Sequence, residues 1–288
     1  MGTAARMLEK RISKAERQAM TILTIHEVQA MQLALMKKLH TYLCEKEIPY
    51  YLLAGSVLGA VRHGGFIPWD DDIDIGLFRP DYERFLRVCQ DFDDAYDIVN
   101  YHTHKHCDTC LTRIYFPNTL IDNQSIARTK LDKRLYLDVF PLDNAPDDEK
   151  DRDQLERRIL KRKQQIYYAD VRDNNNPAYA LFCKKLYSLL FAFRRERLLS
   201  SCDALMQSYA DKQTEYICSM CSQYSFQKQA MPKAYYGTPT LHRFEDTEFY
   251  VPEQTDAYLT HLYGADYMEI PPEGRRRKGC TIYRTDEE

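Results

Sequence analysis

Residues 54–76 read AGSVLGAVRHGGFIPWDDDIDIG, and the interpretation of the whole chain starts from this stretch. It contains five of the ten glycines, the only tryptophan and four aspartates within five positions. If its second half is a strand, Asp72 and Asp74 point to one face while Ile73 and Ile75 point into a core. Two carboxylates on one face suit Mg²⁺, or Mn²⁺, together with substrate phosphates. A solvated acidic loop is the alternative, but such a loop has no need of alternating isoleucines.

The first half of the stretch predicts a phosphate site. The apolar run 51–53 predicts a strand that ends in a tight turn at Gly55 and Ser56, where backbone N–H groups and a hydroxyl can hold a phosphate. Arg62 adds a cation that suits the same ligand. We therefore predict Gly55, Ser56 and Arg62 as phosphate-binding residues, with an ordinary Gly-Ser turn as the alternative.

Composition and charge exclude several classes of protein. The chain is 44% hydrophobic and 29% charged, which is typical of globular domains. Its net charge of −3 gives no electrostatic case for nucleic-acid binding. No apolar run is long enough to span a membrane, and the N-terminal stretch lacks a signal core. Nine cysteines without a signal favour a reducing compartment. We predict a cytoplasmic protein, with the inner face of the membrane as an alternative location.

Periodicity along the chain predicts an α+β protein. Thr24, followed by Glu27 three residues later, begins a helix that ends near Lys46, and a second helix begins at Pro80. Strands are predicted around 98–99, 111–116 and 135–140, with an extended segment at 249–252 and a helix over 255–263. We expect a tail or loose helix at 1–23, one domain over 24–278 with a helical insertion at about 145–225, and a C-terminal tail at 279–288.

Asp138 is the next candidate for the site, because it interrupts the apolar run 135–140. A charge in a central strand is costly unless it is paired or bound to a metal. We therefore predict that Asp138 faces Asp72 and Asp74 across neighbouring strands, as a ligand or a general base; a surface-facing side chain is the alternative. Asp70 is predicted as a further metal ligand and Asp71 as a turn or capping group.

Three other features have two interpretations each. Cys107 and Cys110, with His102, His104 and His106 nearby, and the pair Cys218 and Cys221 have the spacing of zinc ligands. A structural zinc in a non-catalytic binding protein is the less favoured interpretation, because the pairs lie far apart in the chain; reduced thiols are favoured.

The four cations at 275–278 form either a solvated tail or a phosphate-binding strap. The segment 189–195 either contacts a membrane surface or packs in a core.

Taken together, these motifs resemble the LicD family, the group of choline phosphotransferases that includes fukutin-like proteins. The resemblance rests on the blocks at 48–76, on 137–143, which reads LDVFPLD, and on 231–233, 244–245 and 251–272. The segment 145–225 matches loosely. In many members a lysine stands where this chain has Arg113, and a histidine follows the basic run where this chain has Gly279-Cys280-Thr281.

The resemblance implies a nucleotidyltransferase-like, polymerase-β-type fold: a mixed sheet flanked by helices. It also implies transfer of phosphocholine, or a related phospho-alcohol, from CDP-choline or another CDP-alcohol to a glycan or lipid-linked glycan. By position, Gly55 and Ser56 match the family's phosphate turn, Asp72 and Asp74 its metal pair, and Asp138 its third acid. Arg113 is included with the phosphate-binding residues. The alternatives are a nucleotidyltransferase acting on a small molecule and a catalytically dead scaffold.

Overall fold

The first helix begins where the sequence predicts it. The computed structural model describes residues 20–104, 107–122, 132–170, 195–276 and 279–285, and of 168–170 the backbone alone. Helix α1 (Ile25–Glu45) follows Thr24, whose hydroxyl accepts the N–H of Glu27 at 3.3 Å. The Glu27 carboxylate in turn accepts the N–H of Thr24 at 2.8 Å, so the predicted capping box is confirmed.

The acidic stretch, residues 69–74, lies among short elements. In chain order these are β2 (Tyr51–Leu52), α2 (Ala54–His63), β3 (Asp74–Phe78) and α3 (Arg79–Val88). The predicted tight turn at Gly55 and Ser56 is wrong, because both residues lie in the first turn of α2. The chain enters this helix immediately after β2 because Ala54 adopts a left-handed φ of 43°. Strand β3 begins at Asp74, so Asp72 precedes the strand.

A seven-stranded mixed sheet organises the protein. Its strands, besides β2 and β3, are β4 (Asp97–Val99), β5 (Thr112–Tyr115), β7 (Tyr136–Ala145), β8 (Tyr216–Cys218) and β9 (Met231–Pro232). The order is β2-β3-β7-β5-β4, and β8 pairs with the end of β7 and with β9. Strands β3 and β7 are parallel, and the other pairs are antiparallel. The predicted α+β fold, a mixed sheet flanked by helices, is therefore confirmed.

Strand β7 occupies the centre of the sheet because its alternate side chains are apolar. Leu137 and Val139 are fully buried, as are Ile75 and Leu77 on the neighbouring β3. Residues between them point to the opposite face of the sheet. In the parallel register Asp74 lies beside Asp138. The pattern that buries the core therefore places the two carboxylates side by side.

A second core lies where the helical insertion was predicted. Helices α4 (Glu149–Asp170) and α5 (Arg195–Met206) pack through buried side chains that include Leu155, Ile159 and Leu199. The part of the predicted helical insertion at 171–194 falls outside the described residues. So does the segment 189–195 apart from Arg195, which is buried and donates its Nε–H to the carbonyl of Cys107 at 2.8 Å.

A buried ion pair joins the two cores. Arg79, at the start of α3, donates from Nε and Nη2 to both carboxylate oxygens of Asp143 on β7, at 2.6 and 2.7 Å. Asp203 on α5 lies 3.2 Å from Nη1 of the same guanidinium. Burial lowers the pKa of Arg79, but the two carboxylates raise it by more, so the guanidinium stays charged. The pair therefore fixes α3 against the strand that carries Asp138.

Both predicted tails contain strands. Strand β1 (Thr21–Ile22) pairs with β12 (Thr281–Arg284), which also pairs with β6 (Thr119–Asp122). Ile282, which lies beyond the predicted boundary at 278, is buried in the main core. Sequence periodicity could not identify strands of two and four residues.

The remaining elements close one side of the domain: α6 (Phe226–Gln229), α7 (Lys233–Tyr236), β10 (Thr240–Phe244), β11 (Thr247–Val251) and α8 (Thr255–Tyr263). Strands β10 and β11 form a hairpin, of which the sequence analysis predicted the second strand alone. Among the helices formed by described residues, none is sufficiently long and apolar to cross a bilayer.

Candidate active site

A cavity of about 690 Å³ opens at the N-terminal ends of the parallel strands β3 and β7. Six acidic residues line it: the four predicted site residues Asp70, Asp72, Asp74 and Asp138, together with Asp266 and Glu269. The cations that line it are Arg62, Arg113, Arg275 and Arg276, and aromatic residues, among them Trp69, Tyr136, Tyr263 and Tyr267, complete the walls. Acids and cations thus face one cavity, as a site for a metal and a phosphorylated ligand requires.

The carboxylates come from one turn of the chain and one neighbouring strand. Asp74 opens β3, and Asp138 is its register partner on β7. Asp72 lies two residues earlier, on the cavity side, while Ile73 between them is fully buried. The predicted alternation of acids with core isoleucines is therefore observed.

The tightest acidic cluster differs from the predicted one. Carboxylate oxygens of Asp70, Asp71 and Asp72 lie within 4.8 Å of one another. Asp74 and Asp138 are outside this cluster, although both line the same cavity. Closely spaced carboxylate oxygens are the ligands that Mg²⁺ and Mn²⁺ prefer, so the residues present fit the predicted metal.

Asp70 also lies against the start of helix α2. A Cβ atom on Gly55 would be 2.8 Å from Oδ2 of Asp70, so only glycine allows this approach. The helix N-terminus carries partial positive charge, which stabilises a nearby carboxylate. Gly55 lines the cavity.

Ser56 has a structural partner. Its buried hydroxyl accepts the N–H of Asp74 at 2.9 Å, which fixes the start of β3. The cavity wall includes Gly55 and omits Ser56. The structure therefore brings Gly55, and not the Ser56 side chain, to the predicted phosphate position.

Asp138 and Arg113 are paired with each other. Nε of Arg113 on β5 lies 3.0 Å from Oδ1 of Asp138, and Nη1 lies 3.2 Å from Oδ1 of Asp108. The guanidinium lies over the ring of Tyr136, 4.4 Å from its centroid. Burial raises the pKa of Asp138, and Arg113 opposes that rise. This pairing was not predicted from the sequence, because it follows from the β5–β7 register, which aligns Arg113 with Asp138.

Arg62 reaches the cavity from the last turn of α2. Its Nη1 donates to the carbonyls of Tyr267 and Glu269, at 2.9 and 3.0 Å, and its Nε donates to His63. Burial lowers its pKa. Arg62 therefore fixes the loop that follows α8, in addition to presenting positive charge to the cavity.

The predicted basic strap reaches the site in part. Arg275 and Arg276 line the cavity, and the guanidinium of Arg276 lies 4.4 Å from the ring centroid of Trp69. Residues 277–278 lie outside the described residues. Two positive charges of the predicted strap thus lie at the same cavity as the aspartates.

Tyr258 on α8 is a site residue that the sequence analysis missed. It is buried at the cavity wall, and its hydroxyl accepts the N–H of Ala54 at 2.9 Å. The left-handed Ala54 is thereby held at the entrance of α2. The aromatic content of 251–272 was the available signal, but spacing alone could not direct this side chain to a residue two hundred positions earlier.

Among the described residues, the predicted cysteine pairs do not form a group of three or more zinc ligands. Cys107 and Cys110 are buried, and the thiol of Cys110 donates to the carbonyl of Leu199. Cys218 and Cys221 belong to or line the second core. Among described residues, which exclude His106, the groups of three ligands within 4.8 Å reduce to the aspartate cluster.

The fold and the site define a class. A parallel strand pair carrying carboxylates, a helix that begins beside them and a cavity lined by both acids and arginines are the arrangement expected of a nucleotidyltransferase-like domain. The LicD/FKTN/FKRP nucleotidyltransferase domain family matches residues 47–170. The chain is also 32% identical over 260 residues to the lipopolysaccharide cholinephosphotransferase LicD of Haemophilus influenzae, covering 87% of this chain and 94% of that protein. The chain belongs to the LicD family.

Two more distant relatives share shorter segments. A Rickettsia prowazekii protein is 33% identical over 115 residues, which is 38% of this chain and 43% of that protein. Human ribitol 5-phosphate transferase FKRP is 53% identical over 34 residues, which is 12% of this chain and 7% of that protein. The predicted family membership is therefore confirmed.

Proposed function

We propose that this protein transfers a phospho-alcohol, with phosphocholine as the first candidate, from a CDP-linked donor to a hydroxyl of a cell-surface glycan. The observation that carries the proposal is the cavity itself, where Asp72, Asp74 and Asp138 face Arg275 and Arg276. A relative that spans nearly the whole chain is a lipopolysaccharide cholinephosphotransferase, and a second is a ribitol 5-phosphate transferase. Both names describe transfer of a phosphorylated alcohol, which supports this reaction class.

The reaction is a displacement at phosphorus. The acceptor hydroxyl oxygen forms a bond to the phosphorus that carries the alcohol, and the bond from that phosphorus to the bridging oxygen breaks. CMP leaves with the electron pair of the broken bond, and the hydroxyl proton passes to a base. Positioning and charge neutralisation provide most of the catalysis in such transfers.

Asp138 is the residue that we assign as proton acceptor. It is held by Arg113, which keeps the carboxylate ionised, while burial raises its pKa and makes it a better base. Arg62, Arg275 and Arg276 bind the donor's diphosphate, whose oxygens match guanidinium donors. The backbone at Gly55 approaches the same phosphates at the N-terminus of α2.

Asp72 and Asp74, with Asp70 beside them, are the residues that would hold Mg²⁺ or Mn²⁺. When bound, a divalent cation supplies Lewis-acid stabilisation of charge on the phosphate oxygens. The protein's own residues then orient the donor between the aspartates and the arginines that line the cavity.

The eight described cysteines are free thiols, which is consistent with the cytoplasm as the proposed location, at or near the inner membrane face.

The test measures CMP release from CDP-choline, CDP-ribitol and CDP-glycerol with Mg²⁺ and a surface-glycan acceptor. We expect acceptor-dependent CMP release that Asp74→Asn abolishes. Asp246→Asn is the matched control, since Asp246 is exposed and paired with Lys37 away from the cavity. Release from CDP-ribitol or CDP-glycerol, with none from CDP-choline, would retain the reaction and change the alcohol. Pyrophosphate release from CTP, with no CMP from any donor, would overturn the proposal in favour of nucleotidyl transfer.

A further inference from the structure

The C-terminal segment is attached to the acidic stretch at Asp71. Oδ2 of Asp71 accepts the backbone N–H of Cys280 at 3.0 Å. A Cβ atom on Gly279 would lie 3.0 Å from the same oxygen, so a larger residue there would require the carboxylate or the segment to move by a few tenths of an ångström. The contact joins residues 209 positions apart in the chain.

A second attachment lies next to it. The guanidinium of Arg276 lies over Trp69, two residues before Asp71, and its Nε donates to the carbonyl of Pro271 at 3.1 Å. Beyond Cys280, strand β12 pairs with β6 and β1, which fixes the far end of the segment. The C-terminal segment therefore contacts the acidic stretch at two places, through Arg276 on Trp69 and through Cys280 on Asp71.

We propose that Asp71 is a positioning residue that holds the C-terminal segment so that Arg275 and Arg276 face the donor's diphosphate. The inference rests on the proposed function for the identity of the ligand, while the attachment itself is a property of the fold. It assigns Asp71 a role different from that of Asp70 and Asp72. Those two line the cavity, whereas Asp71 is absent from its wall.

The competing assignment makes Asp71 a third metal ligand, because its carboxylate lies within 4.8 Å of its two neighbours. The two roles depend on different properties of the side chain. A metal ligand requires the negative charge, whereas the bond to Cys280 requires an acceptor oxygen. Asparagine retains an acceptor and loses the charge, and alanine loses both.

Asp71→Ala should raise the KM for the CDP-alcohol about fivefold and leave kcat nearly unchanged, as expected for the loss of one hydrogen bond that positions binding residues. Asp71→Asn should restore KM to within about twofold of wild type. Gly279→Ala should raise KM as Asp71→Ala does. Gly274→Ala is its matched control, since a methyl there would meet no atom within 4 Å.

Hydrogen exchange provides a readout that does not depend on activity. Asp71→Ala should accelerate exchange of the Cys280 amide while amides in β3 keep their protection, and Asp71→Asn should not. Equal losses of kcat in both variants, with a higher Mg²⁺ requirement and unchanged Cys280 exchange, would overturn the inference and make Asp71 a ligand. If no CDP-alcohol is used at all, the proposed function fails, while the exchange result still tests the attachment.

Discussion

Replacing Arg113 with methionine tests the electrostatic design of the site. The substitution keeps much of the side-chain volume and removes the charge that faces Asp138 at 3.0 Å. At that distance two unit charges interact by about 5.5 kcal/mol at an effective dielectric constant near 20. The two side chains are 18% and 15% exposed, so solvent screens part of this energy. Because an unpaired buried carboxylate remains, we expect a loss of about 3–5 kcal/mol in the free energy of unfolding at neutral pH.

The pH dependence of this loss has a definite sign. Burial already raises the pKa of Asp138 above its unfolded value, and removing Arg113 raises it further. The folded variant then binds more protons than the unfolded chain between the two pKa values. Its stability therefore falls as pH rises through that window, and the deficit relative to wild type shrinks at acidic pH. If Asp138 is the base that we propose, the acidic limb of the kcat/KM profile should move to higher pH, because a carboxylate accepts a proton only when it is ionised.

Urea unfolding at pH 5.5 and pH 8, together with the pH profile of CMP release, provides the measurement. Arg134→Met is the matched control, since Arg134 also pairs with two aspartates and lies over Tyr115, but does not line the cavity. The control should lose stability without moving the pH profile. A loss below about 1 kcal/mol for Arg113→Met, or the same loss at both pH values, would refute the reasoning.

Three further predictions concern other contacts. Asp74→Asn should lower kcat by roughly three orders of magnitude, measured as CMP release, with an unchanged melting temperature as the check on folding. Tyr258→Phe leaves the N–H of Ala54 without its partner and should cost about 1–3 kcal/mol of stability, measured by urea unfolding; retained stability would contradict the assigned bond. Arg79→Met removes the cation that pairs with the buried Asp143 and Asp203, and it should lower the free energy of unfolding by about 3–5 kcal/mol, measured by urea unfolding. The double variant with Asp143→Leu should recover part of that loss.

Local patterns were sufficient to predict much of the fold. Thr24 and Glu27 satisfy the first N–H groups of α1 by contacts three residues apart, which a sequence reveals directly. The isoleucines between the aspartates revealed which face of β3 is buried. Asp72 and Asp74 were placed on one side for the same reason, because alternation fixes their common side, whereas Asp266 and Glu269 of the cavity wall were not predicted.

Contacts between distant residues were not predictable in this way. The Arg113–Asp138 pair depends on the register of two strands, and a shift by one residue would turn Arg113 to the opposite face. The same holds for β12, whose four residues are ordinary for a tail until β6 provides a partner. The start of α2 was also missed, because a left-handed alanine is uncommon and here depends on a hydroxyl from α8.

The bond between Asp71 and Cys280 has a consequence for how the protein becomes functional during synthesis. Its partners are separated by 209 residues, so the bond cannot form, and cannot hold Arg275 and Arg276 at the cavity, until the chain has been made as far as Cys280. Contacts of such long range also slow folding, since a large loop must close before they stabilise anything. A nascent chain that has exposed its aspartates but not its C-terminal strand therefore lacks two of the arginines that we propose bind the donor. Donor binding during translation should begin only after β12 has emerged from the ribosome.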